Sequence, residues 1–106
     1  MDRHVMYAQA LERIKKIHQL STRVNGGSGA RHQQRLLELM RDHVAEIQDL
    51  VTAQNDHYLV ETGDLLILCF ELLLEGQADI DAVIEKCFGR YERKLSQLMT
   101  DMISEK

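Results

Sequence analysis

Proline is absent from all 106 residues, and one cluster, Asn25-Gly26-Gly27-Ser28-Gly29, is the only strong helix breaker in the chain. Without a Pro ring, no interior position forces a helix to lose a hydrogen bond and clash with its preceding turn. Leu, Glu, Gln, Lys and Arg dominate elsewhere, and these side chains lose little rotamer freedom in a helix. The expected fold class is therefore all-α, a four-helix bundle-like protomer. A chain of this length is one domain. It reads as an N-terminal helix over 1–24, a flexible Gly-rich loop over 25–30 and a core over 31–106. Folding at this size buries roughly two-thirds of the surface that the unfolded chain exposes, which makes one modest core.

Apolar spacing places four helices. The first runs from about Asp2 to Val24, with Met6, Ala10, Ile14 and Ile17 on one face, and beside the loop it is expected to be the least firmly packed. The second runs from about Arg31 to Gln54, with Leu36, Met40, Val44, Ile47 and Val51 as its inward stripe. The third starts near Tyr58, with Asp56 as its cap, and ends at Gly76, a residue suited to the position just past a helix. The fourth opens on Asp79 or Asp81 and carries Ile80, Ile84, Cys87, Tyr91, Leu98 and Met102 on one stripe. Leu65 to Phe70 is apolar all round, so the third helix needs more cover than its three short neighbours supply. A homodimer or higher homo-oligomer is the expected way to provide it.

The formal net charge of −4 disfavours a nucleic acid polymer as partner. A mildly acidic chain can still bind a nucleotide where a metal screens the phosphates. Cys69 and Cys87 sit in apolar helical runs without C-x-x-C spacing and read as buried thiols of a reducing compartment. No signal-peptide h-region follows Met1, and the apolar run from Leu65 to Leu74 is half the length that spans a bilayer. A cytoplasmic protein with no membrane partner is expected. His4, His18, His32, His43 and His57 are scattered without zinc-ligand spacing and read as surface residues.

Two stretches share one acidic spacing, Glu46-Ile47-Gln48-Asp49 and Glu61-Thr62-Gly63-Asp64. Carboxylates at i and i+3 stand one turn apart on a helix face, where they repel unless a hard cation with oxygen ligands neutralises them. Asp49 and Glu61 are equidistant from Asn55, and so are Glu46 and Asp64. In an antiparallel hairpin turning at Asn55, all four would converge on one or two ions. The competing reading is a solvated acidic face, which such motifs in a Glu-rich helical chain also produce.

Val60-Glu61-Thr62-Gly63-Asp64-Leu65-Leu66 resembles the E-E-x-G-D-[LV]-L element of the MazG-like all-α nucleoside triphosphate pyrophosphohydrolases. After a helix break near Gly76, the run from Glu85 to Leu95 resembles the family's K-x-N-x-K-[FY]-x-R-R pattern. The likeness extends over residues 58–95 and is looser over 31–57. Phe88 stands where the family has Asn, and the upstream E-E-x-x-E is matched only by Glu46 and Asp49, or in a rival register by Glu38 and Asp42.

The resemblance implies Mg²⁺, or Mn²⁺, held by Glu46, Asp49, Glu61 and Asp64, with Glu46 as general base. It implies Lys86, Arg90 and Arg93 as phosphate-binding residues. The reaction would cut a nucleoside triphosphate to monophosphate and pyrophosphate. The alternative is a catalytically degenerate member acting as a nucleotide-binding or protein-interaction module.

Overall fold

The computed structural model describes residues 3–104, with side chains from Tyr7 onward. Asp2 and the side chains of His4 and Met6, to which the sequence reading assigned places, lie outside the described residues. Four helices and no strand are present among the described residues: α1 (Arg3–Val24), α2 (Ala30–Thr52), α3 (Tyr58–Glu75) and α4 (Ile80–Ser104). The fold is all-α, as the composition requires. No helix among these residues is long and apolar enough to cross a membrane.

The first three helices end the same way. Past α1, Gly27 N donates to Thr22 O and Gly26 N to Arg23 O; past α2, Asn55 N donates to Leu50 O and Gln54 N to Val51 O. Past α3, Ala78 N donates to Leu73 O and Gln77 N to Leu74 O. This pair of bonds is the Schellman ending, which puts one residue in the left-handed region. Gly26 takes that place after α1 (φ 87°), but Gln54 and Gln77 take it after α2 and α3 (φ 56° each). Gly76, expected in that position, instead has φ −78°. Its lack of a Cβ is not used for turning.

The helix starts also differ from expectation in one case. Asp79 caps α4, its Oδ1 accepting from Ala82 N at 3.2 Å. Asp56 does not cap α3; the cap position is His57, whose side chain makes no capping bond. Asn55 Oδ1 instead accepts from His57 N at 2.9 Å and holds the turn.

α3 is the central helix. α2 packs along it as an antiparallel hairpin, α1 crosses it, and α4 touches it sparsely. The inward seam of α2 is His32, Leu36, Leu39, Met40, His43, Ile47 and Leu50, while Val44 and Val51 are about half exposed. The expected stripe is thus rotated toward the two histidines. His32 is fully buried, contrary to the surface reading of the histidines.

α1 buries Ile14 where it packs on α3. The least packed element is α4: every residue from Arg90 to Ser104 is exposed. The radius of gyration is 17.2 Å, against about 13 Å for a compact domain of 100 residues.

Candidate metal centre

Pairs that meet across the α2–α3 hairpin set its register. His43 faces Asp64 at 3.8 Å and His32 faces Glu75 at 3.9 Å. Both pairs are equidistant from a point between Ala53 and Gln54, because α2 stops at Thr52 and the chain reverses at once. A hairpin centred there rather than at Asn55 shifts each cross-helix partner by about one turn. The residues at the height of Glu61 and Asp64 are then Glu46 and His43, in place of Asp49 and Glu46.

The side chains follow that register. His43 Nε2 lies 3.5 Å from Glu61 Oε2 and 3.8 Å from Asp64 Oδ2. One ligand-capable atom from each of these three residues falls within a 4.8 Å cluster. His43 Nδ1 is 2.8 Å from Leu39 O, in the preceding turn of its own helix. Only a protonated Nδ1 can bond a carbonyl, so the neutral ring presents its Nε2 lone pair to the two carboxylates. A lone pair facing two carboxylate oxygens needs a cation or a proton among them.

Glu61 is also braced from outside: its Oε1 lies 3.4 Å from His57 Nε2, one turn earlier on the chain. Its side chain is 12% exposed, whereas that of Asp64 is half exposed, so the cluster opens to solvent on the Asp64 side.

Glu61 and Asp64, the better half of the acidic motif, are thus brought together. Glu46 and Asp49 are exposed and are not among the clustered atoms. In the rival register, Asp42 is exposed, and Glu38 pairs on the surface with Arg35 at 3.2 Å. Lys86, Arg90 and Arg93 are exposed on α4 and form no ion pair among the described residues. The grooves lined by Arg90 and by Arg93 include neither Glu61 nor Asp64.

Sequence reasoning missed His43 and His57. The signal was present: His43-x-x-Glu46 has the same i, i+3 spacing as Glu61-x-x-Asp64. An imidazole at that spacing can ligate an ion beside carboxylates as another carboxylate would.

The donor set suits a divalent cation: two carboxylates and one imidazole, with room on the solvent side for further ligands. The nitrogen donor matters, since Mg²⁺ prefers an all-oxygen octahedron and imidazole favours transition ions. Of the two expected ions, Mn²⁺ fits better. Compared with known proteins, the chain matches no family model, no curated protein and no solved structure.

Proposed function

We propose that the chain is a divalent-cation-dependent nucleoside triphosphate pyrophosphohydrolase of the MazG-like kind, working with Mn²⁺ in preference to Mg²⁺. The observation that carries this reading is the approach of Glu61 and Asp64 to His43 Nε2 across the hairpin, at the motif that resembles the family's metal element. His43, Glu61 and Asp64 would hold the ion. Bound there, a divalent cation supplies positive charge to offset that of the phosphate oxygens. Glu46, at the height of Glu61, takes the proton of the attacking water. Lys86, Arg90 and Arg93, which stand apart from the acidic cluster within the protomer, would offset charge on the leaving pyrophosphate only once α4 is brought to that cluster.

A second copy of the chain completes the protomer. The exposed face of α4 carries Tyr91, Leu95, Leu98, Met99, Met102 and Ile103, each half or more exposed. An apolar groove of about 510 Å³ between α1 and α3, lined by Ile14, Ile17, Leu66 and Phe70, lies open on the same protomer. Apolar helix faces of this extent mark an interaction surface. A two-fold pair that exchanges α4 faces for grooves covers both in one step.

The second reading is a module that binds without catalysis. It is favoured by His43 in a carboxylate's position, by Phe88 at the family's Asn position, and by basic residues that stand apart from the acidic cluster. Pyrophosphate release from the purified chain, measured with several nucleoside triphosphates and Mn²⁺ or Mg²⁺, separates the two. Release that is abolished in Asp64→Asn is the expected result. No release by the wild-type chain with any triphosphate would sink the enzyme reading and leave the module.

A further inference from the structure

The core of the α1–α2–α3 unit turns polar at one end. α1 points Leu11 and Ile14 inward along its first half, then His18, Ser21 and Thr22, and Asn25 follows just past its end. Opposite them stand His32, at the start of α2, and Glu71 and Glu75, in the last turns of α3. Side-chain exposure is 16% for His18, 0% for His32, 4% for Glu71 and 5% for Glu75. Four atoms at this end have no hydrogen-bond partner although buried: Ser21 Oγ and three ligand-capable atoms, His18 Nδ1, His32 Nε2 and Glu71 Oε1. Buried polar atoms are nearly always paired, so three orphans pointing into one space call for a ligand.

We infer that His18 Nδ1, His32 Nε2 and Glu71 Oε1 form a second metal site, separate from that of His43, for a transition-metal dication of the Zn²⁺ class. These three residues each place one ligand-capable atom within a 4.8 Å cluster. Ligands held tetrahedrally at about 2.0–2.1 Å from zinc stand about 3.4 Å apart. His18 Nδ1 and Glu71 Oε1 are 3.6 Å apart, close to one edge of that tetrahedron. Two imidazoles and one carboxylate form a donor set that holds Zn²⁺ or Fe²⁺.

The outer partners fit the same assignment. A metal-bound imidazole usually has its other nitrogen held by a carboxylate or an amide or carbonyl oxygen. His18 Nε2 lies 3.3 Å from Glu75 Oε2, and Glu75 Oε1 in turn accepts from Gly29 N at 2.5 Å. His32 Nδ1 lies 3.0 Å from the Asn25 side-chain amide. With the amide oxygen turned to the ring, an assignment that hydrogen bonding decides, Asn25 accepts the Nδ1–H and frees the Nε2 lone pair.

Charge points the same way. The buried cluster holds two carboxylates, Glu71 and Glu75, beside its imidazoles, and a dication bound there would balance them. A groove of about 670 Å³ runs past His18, Gly29 and Glu75 and gives an entry path. The ligands come from α1, α2 and α3, so the ion ties the first helix to the hairpin, as metals do in domains with small cores.

The test uses the full chain carrying Glu61→Gln and Asp64→Asn, which disables the other site. After metal stripping it is titrated with Zn²⁺ and with Co²⁺. Expected are one tight equivalent per chain, a raised Tm, slower hydrogen exchange in α1, and an X-ray absorption spectrum showing two imidazoles. Glu75→Gln should weaken binding by about 10–100-fold, the usual loss for an outer partner, and His32→Gln should weaken it further. The absorption spectrum needs no ligand variant, so a His32 variant that misfolds leaves the test intact. Absence of a tight equivalent, a bound ion with oxygen neighbours only, or unchanged affinity in folded His18→Gln and His32→Gln chains would each overturn the assignment.

Discussion

His43 meets Glu61 and Asp64 through a single nitrogen, because Leu39 O occupies the other. Replacing it with Gln removes the imidazole donor while a polar group of similar reach remains. His43→Gln should lose the rise in Tm that millimolar Mn²⁺ gives the wild-type chain, a rise worth about 2.7 kcal/mol where the ion is at 100 times its Kd. Asp64→Asn should lose the same rise together with pyrophosphate release. Asp64 is half exposed, and removing one of two neighbouring carboxylates relieves repulsion. Urea titration without metal should therefore find Asp64→Asn within about 0.5 kcal/mol of wild type, or slightly above it. At Cys69, burial pushes the thiol above its ordinary range. The thiolate is the reactive form, so alkylation of Cys69 followed by mass spectrometry should accelerate only at a pH above that of a free thiol, about 8.5.

Helix endings carry the clearest element-scale consequence. Gln54 and Gln77 hold left-handed backbone, which costs a residue with a Cβ about 1–2 kcal/mol. Gly relieves that cost but adds unfolded-state entropy, so Gln77→Gly should raise unfolding stability by up to about 1 kcal/mol. Gly26→Ala should do the reverse, losing about 1–2 kcal/mol at φ 87°. Denaturant midpoints at constant m-value measure both. The break near Gly76 was legible in the chain, but the residue that turns there was not. The helix runs one residue further than a terminal glycine suggests, and the two bonds from Gln77 and Ala78 then compel the glutamine to turn.

At the scale of the whole molecule, the proposed pairing with a second copy is the property to test. The radius of gyration and the bare face of α4 are the observations that support it. Sedimentation should find a dimer at micromolar concentration, with a Tm that rises with protein concentration. Leu98→Glu with Met102→Glu should give a monomer that keeps α1–α3 helical, because both side chains lie on the exposed stretch of α4. A monomeric wild-type chain would refute the dimer.

Helices, their approximate limits and the Glu61–Asp64 pair were readable from the chain alone. They depend on local matters: rotamer freedom, apolar period, the absence of Pro and the spacing of one turn. The hairpin's register was not readable, because it depends on where the chain reverses. A shift of about one and a half residues at that point moves every cross-helix partner by about one turn. That shift brought His43 to the carboxylates and left Asp49 outside. The inward places of His18 and His32 were hidden for the same reason. Neither histidine stands out from the polar residues around it in the sequence, and only the packing of α1 on α3 gathers the two beside Glu71 and Glu75.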